Sequence, residues 1–357
     1  MMSLMITGSN ERRPRGRYPS ISMNDERKIV EVRQCSRSRK LYYQVGTFSL
    51  DNTRPLEWTE EKDVASGERG GIAINNVNEV VVVYEHTRLR KLLYKVGILH
   101  GNTVNWGEVK PLDSGRDPAV AINDAHTVVV AYQHALLGGI HYRTGRIDKR
   151  QKIITWIPEA VPSPRPKLFS SNAEHVTVAM NRDGFLVAAA SSGNVIVSFG
   201  KVNFDMGGLE WKDQTNTGTS GCTPAISINN ENTVILVQRS KAARHLSYRE
   251  GRLSTEDGNR GIRWACDKIK NYDLGCNPSI ALSNHGEFLE EHETNFTALG
   301  AVGHKLYYRV GKIQPREQGG EQQDQDEEHE EEEEVGGEPG GIELRQINPV
   351  AHHGEER

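Results

Sequence analysis

Six segments of the chain repeat the same order of residue types, and this repeat limits the possible folds more than any other feature. Each unit opens with an apolar run ending in Asn or Ser: PSISMND at 19–25, GGIAINN at 70–76, PAVAIND at 118–124, VTVAMNR at 176–182, PAISINN at 224–230 and PSIALSN at 278–284. A Val-rich run follows, and then a run with Tyr that reaches a Gly, as in KLYYQVG, KLLYKVG and KLYYRVG. The chain therefore repeats a whole structural unit.

A tryptophan marks a fourth run in most units. All five tryptophans of the chain follow shortly after the Gly of the third run; they are Trp58, Trp106, Trp156, Trp211 and Trp264. A period of about 50 residues with four short strands in each unit is typical of a β-propeller. We therefore predict an all-β fold, a six-bladed β-propeller of four-stranded antiparallel blades, with Tyr and Trp packing each blade on the next.

The repeat also predicts the boundaries of the chain's parts. Residues 1–15 form an N-terminal arm and residues 16–313 hold the six units, which start near residues 16, 67, 115, 173, 221 and 275. After them come an acidic disordered insertion at 314–339, an expected last strand at 340–347 and a tail at 348–357. One toroidal domain accounts for most of the chain.

The fourth strand of unit six has two candidates, because this unit lacks a tryptophan. GGIELRQI at 340–347 matches GGLEWKDQ at 207–214, with Leu344 in the place of Trp211. The segment LMIT at 4–7 instead precedes Gly16 much as each Trp precedes the Gly of the next unit. Both remain open, and residues 340–347 are the preferred candidate.

The Asn that ends five of the six first runs has two interpretations, a stacked ligand array or a set of hairpin turns. These residues are Asn24, Asn75, Asn123, Asn181 and Asn229. Asn followed by Asn, Asp or Arg-Asp-Gly between apolar runs favours turns, because Asn and Gly accept positive φ at little cost. The Gly at the end of each third run is likewise expected to be a turn residue.

Composition limits the location and the disulfide content of the protein. No segment approaches 18 consecutive apolar residues, and the first residues have no apolar core of signal-peptide length. We expect a cytoplasmic protein without a transmembrane segment, or one that leaves by an unconventional route or comes from a truncated precursor. Four cysteines make no disulfide framework. Cys222 and Cys276 occupy the same place in adjacent units, so a bridge and two thiols both remain open, with thiols preferred.

The sequence does not favour catalysis. His86 and His134 share a position at the end of the second run, and His292 lies two places earlier in its own unit. No Cys, Asp or Glu stands near them at ligand spacing, and no nucleophile, zinc or phosphate-binding motif has a plausible setting. We predict a protein without enzymatic activity, metal site or cofactor.

Charge is segregated along the units. The loops between second and third runs read QCSRSRK, EHTRLRK and QRSKAARH in units one, two and five, so Arg37, Arg39, Arg88 and Arg90 lie on one face of the predicted ring. Residues 321–334 hold ten acidic side chains on the opposite face. The basic loops either keep the surface soluble or provide a field for an anionic ligand, and the acidic run is expected to bind cations weakly.

The units resemble the repeat arrays of lectin-type β-propellers, and also repeat modules attached to bacterial phospholipase-like proteins. The resemblance covers residues 16–311 and lies in the pattern G-x-x-P-x-[IV]-[AS]-[IML]-N-[DN], a Val-rich run, L-x-Y-x-V-G and a strand with Trp. It implies sugar pockets between blades, each with a stacking aromatic and polar side chains. The matching residues are Tyr84 with His86, Tyr132 with His134, and His292, together with Asp113 and Asp273.

Units four and five depart from this pocket pattern. Ala190 with Ser192 and Gln238 with Ser240 stand at the equivalent positions, so a full ring of equal sites is not expected. We predict a monomeric, multivalent carbohydrate-binding propeller with a preference for anionic ligands. The alternative is a structural or matrix scaffold for protein partners, whose polyacidic segment binds cations or basic partners.

Overall fold

A computed structural model describes residues 3–7, 16–49, 56–86, 88–89, 91–157, 167–169, 172–203, 208–212, 214–242, 245–256, 261–265, 270–294 and 305–314. Within these ranges the regular structure is β-strand without helix, and the strands pair in antiparallel sheets. The all-β prediction is therefore confirmed. The described ranges include no helix long and apolar enough to cross a membrane.

The described ranges contain twenty-seven strands, β1 to β27, which follow the sequence units in order. The chain begins with β1 Ser3–Thr7, and unit one then contains β2 Arg17–Met23, β3 Lys28–Gln34, β4 Lys40–Phe48, β5 Leu56–Trp58 and β6 Lys62–Ser66. Unit two contains β7 Glu68–Ile74, β8 Glu79–Glu85, β9 Lys91–His100 and β10 Thr103–Trp106, and β11 Lys110–Ile122 leads into unit three. Unit three continues with β12 Thr127–His134, β13 Ile140–Asp148, β14 Ile153–Trp156 and β15 Lys167–Phe169.

The second half repeats this order. Unit four contains β16 Glu174–Met180, β17 Phe185–Ser192, β18 Asn194–Asn203 and β19 Gly208–Trp211, and β20 Thr215–Ile228 leads into unit five. Unit five continues with β21 Thr233–Ser240, β22 His245–Ser254, β23 Gly261–Trp264 and β24 Lys270–Leu274. Unit six contains β25 Cys276–Leu282, β26 Glu287–Thr294 and β27 Lys305–Gln314.

Each unit is an antiparallel meander in which neighbouring strands pair in chain order. The fourth position is filled by two short segments that both pair with the third strand, as β5 and β6 do with β4. The long strands β11 and β20 begin in the fourth position of one unit and end as the first strand of the next. They join units two and three, and units four and five, into nine-stranded sheets.

The Gly of the third strand is not a turn residue, which corrects the sequence expectation. The third strand continues through it, as β4 continues past Gly46 to Phe48, and the Trp of the fourth strand lies directly opposite, as Trp58 does to Gly46. A Cβ atom at Gly46 would lie 3.0 Å from the Trp58 ring. The same Gly–Trp pairing recurs in units two to five. The glycine therefore makes room for the indole ring.

The N-terminal segment provides the fourth strand of unit six. β1 pairs with β27 along its whole length, and Ile6 lies opposite Gly311, the place that Trp takes in the other units. The sequence analysis preferred residues 340–347 for this place, and the structure gives it to the rival candidate, β1. Residues 315–357, which include the predicted insertion, strand and tail, lie outside the described residues.

Among the residues that the structure describes, the buried apolar side chains form six clusters, and each cluster spans two consecutive units. The second strands are buried on both faces for this reason. In unit two, Val80 and Val82 pack against unit one, while Val81 and Val83 pack against unit three. A strand that is covered on both faces is apolar at every position instead of alternating, which explains the Val-rich runs.

Tyr and Trp join the units as the sequence predicted. Three edge-to-face pairs connect consecutive units, with ring centroids 5.5 to 5.8 Å apart: Tyr43 with Trp106, Tyr94 with Trp156, and Tyr142 with Trp211. Such aromatic pairs contribute about 0.5–1.5 kcal/mol each beyond the area that they bury. Trp58 packs against the cluster that contains Tyr308, so unit one contacts unit six through equivalent residues.

The predicted Asn turns are confirmed, although the positive φ lies elsewhere. Asn75 Oδ1 accepts a hydrogen bond from the backbone N–H of Glu79 at 2.9 Å, and its Nδ2 donates to the Asn123 carbonyl oxygen of the next unit at 2.9 Å. The residue with positive φ comes three positions after the Asn, as in Asn78 with φ of 64°. The Asn side chain thus closes its own turn and connects two units.

The residues that follow these Asn positions form a hydrogen-bonded cycle. The backbone N–H of Asp25 donates to Asn76 Oδ1, and that of Asn76 donates to Asp124 Oδ1, both at 2.8 Å. Asn123 Nδ2 then donates to the carbonyl oxygen of Arg182. The remaining links run from Arg182 to Asn230, from Asn230 to Asn284, and from Asn284 back to Asp25. Every unit therefore contacts both of its neighbours at this end.

The cysteine alternatives are resolved in favour of thiols. Cys35, Cys222 and Cys276 are thiols in the part of the chain that the structure describes. Burial raises the pKa of the Cys276 thiol to about 11. This thiol is therefore un-ionised and a poor nucleophile at neutral pH.

Two truncations distinguish the candidate closing strands. Deletion of residues 1–7 removes the backbone partner of β27 and leaves an unpaired sheet edge, so we expect the melting temperature to fall by roughly 5 °C or more. Deletion of residues 340–357 serves as the control and should leave it unchanged. Differential scanning calorimetry of both variants and the full chain checks this. Destabilisation by the second deletion alone would assign the closing strand to residues 340–347.

Candidate ligand site at the mouth of a central cavity

The first strands of the six units surround a common cavity. β2 contacts β7, and the contacts continue through β11, β16, β20 and β25 back to β2. The cavity that they enclose has a volume of about 260 Å³ and is lined by small residues such as Ser20, Ala73 and Ala121 together with aliphatic ones such as Ile72. One end of it lies at the hydrogen-bonded turns, and the other end opens where the first strands begin.

Six side chains surround this open end, and we call them the mouth ring: Tyr18, Arg69, Asp117, His175, Thr223 and Asn277. Each comes two positions after the residue that opens its unit, such as Gly16 or Gly115, and sits in a β-bulge of the first strand. All six have φ between 45° and 51°. Such a conformation is uncommon for a residue with a Cβ atom and recurs at binding sites.

Charged groups surround the aromatic member of the mouth ring. The guanidinium carbons of Arg17 and Arg69 lie 5.3 and 4.9 Å from the centre of the Tyr18 ring. Arg69 also forms an ion pair with Asp117. Burial works to lower the pKa of Arg69, but the charge of Asp117 and its hydrogen bond raise it on balance. The Arg69 guanidinium is therefore cationic at any physiological pH.

The remaining members place further polar atoms around the mouth. His175 Nδ1 lies 3.8 Å from Asp117 Oδ2, so an imidazole lies beside the ion pair. Asn277 Nδ2 donates to Glu293 Oε2 at 2.8 Å, and the backbone N–H of Tyr18 approaches the same oxygen at 3.4 Å. Contacts between neighbours thus hold several side chains of the ring in position.

All six mouth-ring residues are partly exposed, so the ring offers cationic, acidic, imidazole, hydroxyl, amide and aromatic groups within one opening. A set of this kind can bind a ligand that has a negative charge and several hydroxyl groups. Sequence reasoning missed this site because its members share no residue type. The signal in the sequence is positional: the residue two places after the start of each unit carries a polar group in all six units.

Asp113, Tyr132 and His134, three of the predicted site residues, lie together. The Tyr132 hydroxyl donates to Asp113 Oδ2 at 2.6 Å, and His134 Nε2 lies 4.0 Å from Asp113 Oδ1. Tyr132 is 1% exposed and His134 6% exposed. Their rings are therefore covered by the protein and do not face solvent.

His292 and Asp273 also lie together, at the junction of units five and six. His292 Nε2 is 3.5 Å from Asp273 Oδ2, and His292 Nδ1 is 3.0 Å from Glu290 Oε2. Arg309 donates to Asp273 at 2.9 Å. Burial works to lower the pKa of His292, but Glu290 raises it on balance, so the buried imidazole favours its charged form.

Tyr84 and His86 do not form an equivalent group. Tyr84 is 2% exposed, and burial raises its pKa to about 12. The position of Asp113 is held by Ala65 in this unit. His86 Nδ1 accepts the backbone N–H of Arg88 at 3.3 Å and so belongs to the loop.

The position of Tyr84, Tyr132 and His292 in the second strand has a packing role. A Cβ atom at Gly67, Gly115 or Gly275 would lie 2.5 to 2.7 Å from the ring of Tyr84, Tyr132 or His292, respectively. In unit four both positions are alanine. Ala173 takes the position of the glycine and Ala190 the position of the large side chain, and both are fully buried. A large side chain at this position therefore requires glycine opposite it, and a small one does not.

The predicted basic residues lie at the surface. Arg37, Arg39 and Arg88 are exposed in the loops between second and third strands, and Arg90 lies outside the described residues. Arg39 Nε lies 3.5 Å from Glu68 Oε1. These loops share the face of the molecule with the mouth ring, because both lie at the ends where second strands finish and first strands begin.

Solved structures of other proteins are similar to this chain in fold. The chain is similar to the NanB sialidase of Streptococcus pneumoniae, in complex with 2-[(3-chlorobenzyl)ammonio]ethanesulfonate, with a TM-score of 0.56, 9% identity and coverage of 83% of this chain and 68% of that one. It is also similar to a protein of unknown function from Dyadobacter fermentans, with a TM-score of 0.53, 13% identity and coverage of 84% and 95%. No family model and no curated protein matches the sequence.

The pKa shift of His292 predicts a pH-dependent stability difference. A folded-state pKa that is raised above the ordinary value near 6.5 stabilises the fold below that value, and the contribution disappears as pH rises through the folded-state pKa. We expect the deficit in unfolding free energy of His292→Gln against wild type to be larger at about pH 6 than at about pH 9. Urea denaturation at both pH values measures it, with His86→Gln as control. A deficit that grows with pH would contradict the assignment.

Proposed function

We propose that the chain is a six-bladed β-propeller that binds an anionic glycan through the mouth ring, without catalysing a reaction. The proposal combines the repeat, the polar opening of the central cavity and the basic loops of the same face. It keeps the ligand class that the sequence predicted and moves the site from the junctions between blades to the central axis.

Four observations support the propeller. Six apolar clusters each join consecutive units, and the cluster of unit six includes residues of unit one. The first strands contact one another in cyclic order, and the turn residues form a hydrogen-bonded cycle. β1 adds the fourth strand to unit six. A closed ring is the arrangement in which no unit leaves an apolar face uncovered.

One observation carries the site assignment. The same strained bulge occurs in all six units and brings six different polar side chains to one opening. A purely structural bulge needs no particular side chain, and glycine would adopt this φ at lower cost. Polar residues at all six positions therefore favour a role for the side chains themselves.

The ligand class follows from the charges of this opening. Arg17 and Arg69 flank Tyr18, and exposed arginines lie in the loops of the same face. Guanidinium groups bind carboxylate or sulphate, while Asn277 and His175 suit the hydroxyl groups of a sugar. The similarity to NanB sialidase adds support from the fold alone.

The junctions between blades are less suitable as sugar sites. Tyr84, Tyr132 and His292 are at most 2% exposed, and a sugar that stacks on an aromatic ring needs an accessible face. The scaffold alternative depends on residues 321–334, which lie outside the described residues. It stays a prediction, as does a monomeric state.

Glycoside hydrolysis is a second candidate, because one observation favours it. Burial, together with the neighbouring charge of Asp117, raises the pKa of Glu85, although Arg69 opposes this. A carboxylic acid with a raised pKa beside a second carboxyl group is the usual pair in glycosidases. Release of an aryl leaving group from aryl glycosides, abolished in Glu85→Gln, would replace the binding proposal with this one.

A pair of double variants tests the mouth ring. Arg69→Gln/Asp117→Asn removes an ion pair between units two and three at the mouth, and Arg27→Gln/Glu287→Gln removes one between units six and one at the opposite end. We expect the first variant to weaken binding of sialylated or sulphated glycans at least about tenfold, because it removes a charged hydrogen-bond donor. The second should bind as wild type.

A glycan array at low and physiological salt provides the measurement. Loss of signal in Tyr132→Phe but not in the mouth variant would return the site to the junctions between blades. If the wild-type protein bound no glycan on the array, the proposed ligand class would be rejected. Melting temperatures of the variants separate weakened binding from unfolding.

A further inference from the structure

Two neighbouring loops hold leucines in solvent. Leu136 is 85% exposed and Leu137 52% exposed in the loop between β12 and β13, and Leu89 is 60% exposed in the equivalent loop of unit two. Among the described residues, the other large apolar side chains with such exposure are Val77 and Val109. Single exposed leucines are common, but three in two adjacent loops need an explanation.

The loop that carries Leu136 and Leu137 has a fixed backbone. His134 Nδ1 accepts the backbone N–H groups of Leu136 and Leu137 at 3.1 and 3.0 Å. On the far side of the loop, His141 Nε2 lies 3.1 Å from the Gly138 carbonyl oxygen. The two leucines thus project outward from a hydrogen-bonded turn. His134, which the sequence analysis predicted as a ligand-binding residue, stabilises that turn.

Cationic side chains flank Leu89 in its own loop and in the loop of unit one. Arg88 directly precedes Leu89, and Lys91 begins the next strand; both are exposed. The adjacent loop of unit one adds Arg37 and Arg39, also exposed. His86 Nδ1 accepts the N–H of Arg88, which repeats in unit two the hydrogen bond that His134 makes in unit three. Apolar side chains and positive charges therefore project from the same face.

We propose that this face docks on a lipid bilayer with anionic headgroups, with Leu89, Leu136 and Leu137 inserted at the interface. Charge complementarity selects the partner: arginines and lysines attract the anionic headgroups, and the leucines enter the boundary with the acyl chains. A protein partner of this face would also need acidic groups around an apolar pocket, and the vesicle experiment separates the two. The proposal does not depend on glycan binding at the mouth ring.

Sedimentation with vesicles tests the proposal on the full chain. We expect binding to phosphatidylcholine vesicles that contain phosphatidylserine, weak binding to phosphatidylcholine alone, and release as salt increases. Leu136→Ser/Leu137→Ser should lower the partition coefficient about tenfold, since two apolar side chains leave the interface. Arg88→Ser should lower it about fivefold. Val77→Ser, in a turn at the opposite end of the strands, should leave it unchanged.

A depth measurement distinguishes insertion from adhesion by charge. Leu136→Trp adds a fluorophore to the five native tryptophans, and Val77→Trp adds one to the same background on the opposite face. We expect brominated lipid to quench the added fluorescence of the first variant and not that of the second. Equal quenching in both variants, or vesicle binding that the leucine double variant leaves unchanged, would overturn the proposal. Absence of vesicle binding would overturn it as well.

Discussion

Burial of two apolar faces on every unit is the constraint on which the structure depends. A second strand such as β8 has valines at successive positions, so half of them face the preceding unit and half face the following one. Neither half can be covered within the unit itself. The contacts must therefore continue from unit to unit, and the first and last units must meet. The Tyr–Trp pairs, the Asn turns and β1 all act at the boundaries that this requirement creates.

Sequence reasoning succeeded where one residue type has one structural use. The Val-rich runs, the Asn turns and the Tyr–Trp contacts follow from periodicity and side-chain chemistry. It failed where two segments satisfy the same pattern: LMIT and GGIELRQI can both form a short strand, and only the backbone pairing of β1 with β27 distinguishes them. The Gly of the third strand was misread for a related reason, since glycine serves a turn and a close ring contact equally well.

The candidate site could not be recognised from a sequence motif. Tyr18, Arg69 and Asp117 have nothing in common except their place in the unit, so no motif connects them. Conversely, Tyr132 and His292 were singled out because aromatic and imidazole groups recur there, and the recurrence reflects a need to fill space opposite glycine. In a repeat protein, a residue type that recurs at equivalent positions of the units indicates a packing role. Different polar residues at equivalent positions, especially positions with a strained backbone, indicate side chains that are used for binding.

Charge makes the closing junction, between units six and one, unlike the junction between units two and three. Unit one supplies cations and unit six supplies anions: Arg17 faces Glu293 at 3.6 Å, and Arg27 binds Glu287 at 2.7 Å. At the junction of units two and three, unit two supplies both an arginine and a glutamate: Arg69 pairs with Asp117, and Glu79 Oε1 lies 2.8 Å from His126 Nδ1. Apolar faces alone would accept any neighbour of similar shape. Buried charges tolerate only a partner of opposite sign, because an uncompensated charge is costly to bury. The closing junction therefore favours one pairing, unit six with unit one, in a chain whose units otherwise look alike.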